Sequence, residues 1–157
     1  MLDINKIRKD FPILDQKVNG QKLIYFDNAA TSQTPNQVVE SIVDYYQKTN
    51  SNIHRGNHKL SIQATTAYEA VRNELQKYFN SRLPQEIIFT SGTTQSINII
   101  TLGYTDLLTS DDEVIVSEME HHSNIVPIQM LCERTGAKLN VIPMDNQGNL
   151  IIKEFDK

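Results

Sequence analysis

Apolar residues recur at helical spacing in five segments of the chain, and this pattern predicts five amphipathic helices. Start and stop signals frame two of them. Thr34 is placed to cap a helix that has Pro35 at its first position and Gln37 completing a capping box. Gly136 follows the last predicted helix as a left-handed terminating residue. The five predicted helices cover residues 4–11, 34–48, 60–79, 94–108 and 124–134, and a further helix is expected to begin at Leu150.

Short apolar runs between these segments predict strands at 23–26, 86–90, 113–117 and 138–142. From residue 86 onward the predicted order is strand, helix, strand, helix, strand. Short, continuously apolar strands are typical of buried parallel sheets, whose crossover connections are right-handed. The sequence therefore predicts the α/β class, with a mainly parallel sheet flanked by helices.

Two polar loops, 91–94 and 119–124, follow predicted strands, so both are expected at the carboxyl edge of the sheet, where α/β proteins bind ligands. Ser91, Gly92, Thr93 and Thr94 join a strand directly to a helix. The free amides and partial positive charge of a helix N-terminus suit an anion. The loop lacks the lysine and glycine spacing of nucleotide-binding motifs. A single phosphate is the favoured ligand, and a plain helix cap remains the alternative.

Three other places carry candidate chemistry. His121 and His122 could ligate a metal, stack on a planar ligand or face solvent, and the absence of further spaced ligands argues against a metal. His54 and Arg55 lie in a long loop that could bind an anionic substrate or form only a local salt bridge. The small residues at 27–31 allow something to approach the backbone closely. Cys132 lies on the apolar face of a predicted helix and is interpreted as a core residue.

Composition limits the expected class of protein and its expected location. Its 157 residues suit one domain. A net charge of −4 argues against a general nucleic-acid binder, and no apolar run reaches the ~18 residues of a membrane span. The N-terminus has no apolar segment typical of a secretory signal. One cysteine fits a reducing, cytoplasmic location.

Four motifs in register resemble the N-terminal portion of Suf-type cysteine desulfurases, which belong to the class V aminotransferase group of pyridoxal-phosphate enzymes. The resemblance spans nearly the whole chain. It rests on YFDNAAT at 25–31, HRGNH at 54–58, SGTT at 91–94 and MEHHSNIVP at 119–127. It implies the N-terminal part of a fold type I large domain, incomplete here, with a helix and arm at 1–20 and the partial large domain at 21–157.

The resemblance also implies roles for individual residues. Gly92, Thr93 and Thr94 would contact the phosphate of pyridoxal 5′-phosphate, and His121 would stack on its pyridine ring. Ala29 and Ala30 would border the substrate, while His54 and Arg55 would lie near the active site close to a dimer interface. The family's reaction converts L-cysteine to L-alanine and leaves a persulfide for iron–sulfur cluster assembly. A homodimer and a sulfur-acceptor protein are the implied partners.

Departures from the family pattern limit the expected activity. Thr34 replaces a usual lysine, and Gln95 stands where glutamate is frequent. The family's Schiff-base lysine, ring-nitrogen aspartate, substrate-binding arginine and persulfide cysteine all come later than residue 157. The chain is therefore expected to be inactive alone. A selenocysteine lyase or another class V enzyme, and a non-catalytic module that binds a phosphorylated metabolite or a partner protein, are the alternatives.

Overall fold

The computed structural model describes residues 2–154. Within it the chain forms two compact units, one up to Ile87 and the other from Ile88. Helices and strands are mixed, they alternate from residue 93 to residue 142, and the parallel sheet is small. This is the predicted class in an incomplete form.

The first unit is mainly helical. Its small hairpin turns at Asn19 and Gly20, whose φ values of 51° and 77° explain why this pair occupies the turn. The unit also contains 3-10 turns at Pro12–Asp15 and Pro84–Glu86. A π turn at Tyr45–Thr49 extends the second helix. The elements are α1 (Ile4–Arg8), β1 (Lys17–Val18), β2 (Gln21–Lys22), α2 (Asn36–Asp44) and α3 (Lys59–Tyr78).

The second unit is a helix followed by a strand–helix–strand crossover. Strands β3 and β4 pair in parallel, with Glu113 opposite Lys138 and Ser117 opposite Ile142. Gly136 ends the crossover helix in the left-handed conformation with φ 80°, as predicted. The elements are α4 (Thr93–Tyr104), β3 (Glu113–Ser117), α5 (His122–Thr135) and β4 (Lys138–Ile142), followed by a 3-10 turn at Ile152–Glu154. The predicted helix from Leu150 is this short turn, and residues 155–157 lie outside the described part.

Two predicted strands are wrong. Residues 23–26 belong to no strand in the described chain, and neither do residues 86–90, the first of which ends a 3-10 turn. Isolated extended segments gain no ladder hydrogen bonds, so an apolar run becomes a strand only where a neighbour pairs with it. The predicted cap of α2 is also wrong: Pro35 occupies the N-cap position without a side-chain bond, and the amide of Asn36 donates instead to the Asp10 carbonyl at 2.8 Å.

The buried core is small. Its apolar members are Ala64, Val116, Leu131, Cys132 and Ala137. Several large apolar side chains remain exposed, including Phe26 at 92 % and Ile24 at 75 %. Apolar exposure on this scale is typical of surfaces that another element covers. No helix within residues 2–154 is long and apolar enough to cross a membrane.

Candidate functional site

The first turn of α4 presents its amides without a cap. Gly92 is the N-cap residue, and no side chain accepts a hydrogen bond there. The first backbone bond of the helix runs from the Ser96 amide to the Gly92 carbonyl at 3.1 Å. The amides of Thr93, Thr94 and Gln95 therefore precede the helical ladder, as expected for a helix start. With φ 153° and ψ 175°, Gly92 has a conformation that is essentially restricted to glycine.

Side-chain hydrogen bonds hold the loop before this turn in place. The Ser91 amide donates to Oε1 of Gln95 at 2.6 Å, and the hydroxyls of Thr90 and Ser96 are 2.7 Å apart. The hydroxyls of Thr93 and Thr94 are exposed and make no hydrogen bond within residues 2–154. Sequence reasoning missed the bracing role of Gln95, although a Gln at the third helical position is a known capping signal.

The donor set of this turn fits a phosphate. It combines backbone amides, two hydroxyl groups and the positive end of a 12-residue helix. No carboxylate belongs to the turn itself, so nothing there repels an anion. The turn is therefore suited to the phosphate group of a ligand, and this fit depends only on residues of the second unit.

His121 caps the helix that follows β3. Its Nδ1 accepts a hydrogen bond from the Ser123 amide at 3.1 Å and lies 2.9 Å from the Ser123 hydroxyl. These contacts fix the ring at the N-terminus of α5, while the residue stays exposed. The His122 ring lies 6.1 Å away, inclined by 62°. His121 is thus an oriented, accessible imidazole, and sequence reasoning missed its capping contact.

Glu120 holds the loop that carries His121. Its Oε2 accepts from the Asn124 side chain at 2.8 Å, and its Oε1 accepts from the Ser117 hydroxyl at 2.9 Å. These hydrogen bonds keep the pKa of the Glu120 carboxyl below its ordinary value. The ionised carboxylate therefore connects the end of β3 to the start of α5.

Chain topology relates the two helix starts in the second unit. Helix α4 ends at the connection that enters β3, and α5 begins at the connection that leaves it. Both helices contact each other. We therefore infer that Thr93 and His121 lie on the side of the sheet where β3 has its carboxyl end. The sequence led to the same placement from a strand at 86–90 that the described chain does not form.

The small-residue loop in the first unit is a tight turn. The amides of Ala30 and Thr31 donate to the Asp27 carbonyl at 3.2 and 3.0 Å. The Tyr25 hydroxyl closes the turn by donating to the Thr31 carbonyl at 2.7 Å. Ala29 and Ala30 are both exposed at its tip, so the backbone there is open to approach.

His54 and Arg55 lie in the loop between α2 and α3. Nε2 of His54 is 2.8 Å from Oε1 of Glu69 on α3, a hydrogen bond that is also an ion pair when the imidazole is protonated. Arg55 is exposed, and its guanidinium makes no hydrogen bond or ion pair within residues 2–154. The loop depends on Gly56: a Cβ at this position would lie 2.5 Å from the hydroxyl oxygen of Ser61, a fully buried residue.

Glu69 and Arg72 are functional candidates that sequence reasoning missed. Arg72 donates from Nε to Oε2 of Glu69 at 2.9 Å, and its guanidinium lies 5.4 Å from the centre of the Tyr68 ring. The hydrogen bond from His54, with a further contribution from Arg72, holds the pKa of Glu69 below its ordinary value. The spacing of Glu69 and Arg72 on one helix was the available signal.

One further sequence prediction concerns a residue outside these loops. Cys132 is buried, and desolvation raises the pKa of its thiol, which confirms its interpretation as a core residue. Among residues 2–154, no group of three or more His, Cys, Asp or Glu side chains is arranged to hold a metal ion.

Comparison with known proteins places the chain in a family. The class V aminotransferase family model matches residues 24–157. A probable cysteine desulfurase from Staphylococcus aureus strain Mu50 is 51 % identical over 98 % of this chain, and one from Synechocystis is 47 % identical over 95 %. The apo cysteine desulfurase from Thermococcus onnurineus superposes on 98 % of the chain with a TM-score of 0.85 and 38 % identity.

The chain spans little more than a third of these proteins: 37 % of the staphylococcal relative, 36 % of the Synechocystis relative and 37 % of the solved structure. This coverage is consistent with the N-terminal portion of such a protein. With the family match over most of its length, the chain belongs to the class V aminotransferase family and is similar to its cysteine desulfurases.

Proposed function

We propose that the chain is the N-terminal segment of a pyridoxal-phosphate-dependent cysteine desulfurase. The whole enzyme would convert L-cysteine to L-alanine and leave the sulfur as a persulfide for iron–sulfur cluster assembly. The observation that carries the proposal is the uncapped start of α4, where Thr93 and Thr94 offer free hydroxyls in a chain whose relatives are named cysteine desulfurases.

The α4 turn would hold the phosphate of the cofactor. The amides of Gly92, Thr93 and Thr94 and the two threonine hydroxyls supply donors, and the helix dipole contributes about 0.3–2 kcal/mol. The Ser91 amide already donates to Oε1 of Gln95, so it is not one of the donors that would face the anion. Pre-formed donors of this kind do not have to be ordered when the ligand binds.

His121 would stack on the pyridine ring. Its Nδ1 is occupied by the Ser123 amide, so the ring orientation is set by α5 before any ligand arrives. Pyridoxal phosphate, when bound, supplies an electron sink for reactions at the α-carbon of amino acids. The part of His121 in this proposal is to orient the cofactor.

We also propose the remaining roles that the family resemblance implies. Ala29, Ala30, His54 and Arg55 would lie near the substrate, with the Arg55 fork suited to a carboxylate. Residues 21–157 would be part of the large domain, and the complete enzyme would act as a cytoplasmic homodimer with a sulfur-acceptor protein.

The 157-residue chain is proposed to be inactive alone. None of its lysines stands in the Ser-Gly-His-Lys context of the family's cofactor-linked lysine. Cys132 is its one cysteine and is buried in α5, with the pKa of its thiol raised, so it is not suited to accept sulfur.

A chimera tests this function. The chain would replace the matching 37 % of the staphylococcal probable cysteine desulfurase, and alanine and sulfide would be measured with pyridoxal phosphate and L-cysteine. We expect the chimera to form alanine and the 157-residue chain alone to form none. A folded chimera that binds the cofactor but leaves L-cysteine intact would contradict the assignment, and turnover by the chain alone would contradict its inactivity.

A further inference from the structure

One face of α3 holds His54 in an unusual backbone conformation. His54 has φ 65°, a left-handed value that a residue with a side chain seldom adopts. Its amide donates to Oγ1 of Thr65 at 2.9 Å, its ring meets the Tyr68 ring edge-on at 5.6 Å, and its Nε2 lies 2.8 Å from Glu69. Residues 65, 68 and 69 share one face of the helix. His54 therefore contributes three of the contacts that anchor the loop to α3.

Arg72 extends the same face and holds Glu69 in place. Its side chain is only 19 % exposed. Nε donates to Oε2 of Glu69, Nη1 donates to the Ile87 carbonyl, and Nη2 lies 3.4 Å from the Tyr68 hydroxyl. All three guanidinium nitrogens are thus engaged within the first unit, and the orientation of the Glu69 carboxylate follows from them.

The proton between His54 and Glu69 has a defined position. Both oxygens of Glu69 accept hydrogen bonds, and its lowered pKa keeps the group ionised in neutral solution. A carboxylate has no hydrogen to donate, so Nε2 of His54 must carry one. In the neutral imidazole Nδ1 is then an acceptor, and it has no partner within residues 2–154.

We propose that Glu69, braced by Arg72, is a positioning residue that fixes His54 in the Nε2–H tautomer and leaves Nδ1 as a free proton acceptor next to Arg55. What this acceptor is used for rests on the proposed function: an amino-acid substrate has a carboxylate that suits the Arg55 guanidinium and a proton to give up. The tautomer itself is a property of the chain alone.

Glu69→Gln separates this role from simple packing. The amide oxygen remains the better acceptor for the Arg72 Nε donor, so the amide NH₂ turns toward His54. Nε2 would then have to accept, and the hydrogen would move to Nδ1. Glu74→Gln is the matched control, because Glu74 lies on the same helix and pairs with exposed Lys77 at 3.0 Å.

The test is a long-range ¹H–¹⁵N correlation spectrum of the histidine rings, recorded without cofactor near pH 8.5, about two units above the ordinary histidine pKa. We expect a single Nε2–H form of His54 in the wild type and in Glu74→Gln, and a majority Nδ1–H form in Glu69→Gln with an otherwise unchanged amide spectrum. A mixed or Nδ1–H wild type overturns the proposal, as does a Glu69→Gln spectrum like that of the wild type.

If Glu69→Gln does not fold, the wild-type spectrum decides alone. The measurement also stands apart from the proposed function, since it needs neither pyridoxal phosphate nor L-cysteine. A confirmed tautomer in a chain whose chimera lacks desulfurase activity would retain the positioning role and reject the function. An active chimera together with a mixed or Nδ1–H form of His54 would reject the positioning role and leave the proposed function standing.

Discussion

Nδ1 of His121 accepts a hydrogen bond from the Ser123 amide at 3.1 Å, so the histidine proposed to stack on a cofactor also caps α5. The two roles use different parts of the side chain: the cap uses one ring nitrogen, and stacking uses the ring face. They can therefore be separated by a residue that caps well but has no ring.

His121→Asn is that substitution. Asparagine is among the best N-cap residues, so the unfolding temperature of the chain should change little, whereas His121→Ala should cost about 0.5–2 kcal/mol. Both variants should weaken pyridoxal-phosphate binding by the chimera several-fold, measured by cofactor fluorescence. His122→Ala is the control with an intact cap. Wild-type affinity in His121→Asn would reduce His121 to a structural cap.

Removing the two free hydroxyls at α4 should weaken cofactor binding more strongly. Hydrogen bonds to charged groups contribute about 1.5–3 kcal/mol each, so Thr93→Ala with Thr94→Ala should raise the dissociation constant at least ~10-fold in the chimera. Thr105→Ala is the control, because its hydroxyl bonds within α4 to the Thr101 carbonyl. Equal affinities in the two variants would leave the α4 turn as an ordinary helix start.

Gly56 should tolerate no larger residue. Gly56→Ala would place a methyl group 2.5 Å from the buried Ser61 hydroxyl oxygen, and overpacking of this kind costs about 1–3 kcal/mol. Gly103→Ala is the control, since nothing lies within 4 Å of a Cβ there and alanine favours helices. Thermal unfolding should show a loss for the first variant and a small gain for the second. Similar unfolding temperatures would contradict the tight loop.

The lowered pKa of Glu120 predicts acid sensitivity. Its pKa is lower in the folded chain than the 4.5 expected when unfolded, so its stabilising contribution is present above about 4.5 and is lost as pH falls through the folded value. Glu120→Gln cannot titrate, so its stability should fall less steeply over that range in denaturant unfolding. The exposed Glu133→Gln should follow the wild type. Parallel curves for all three proteins would contradict the role of the carboxylate.

The parts of the fold that could be predicted are those whose partners lie within the chain. The bounds of β3 and β4 match the prediction, because each is a short apolar run whose neighbour is the other. The predicted strands at 23–26 and 86–90 are also largely apolar but have no strand beside them among the described residues. Local pattern gives the tendency to extend, and pairing decides whether a strand forms.

The candidate site divides in the same way. A small polar loop before an amphipathic run was enough to predict a helix start at residues 92–94, although the strand expected before it does not form in the described chain. The contact between Glu69 and His54 joins residues that are 15 positions apart in sequence. It depends on a left-handed backbone at His54, and no sequence motif predicts that conformation. Side-chain partners across a loop follow from how the loop folds back, and that is settled by packing.

The start of α4 is proposed to hold the phosphate of pyridoxal phosphate. The decisive measurement is a titration of the ¹⁵N-labelled 157-residue chain with pyridoxal phosphate, followed by amide resonances, with pyridoxal as the control that lacks the phosphate. We predict saturable shifts centred on the amides of residues 92–95 and on His121, with pyridoxal producing far smaller shifts at 92–95. Shifts that avoid those residues, or that are equal for both compounds, would contradict the claim.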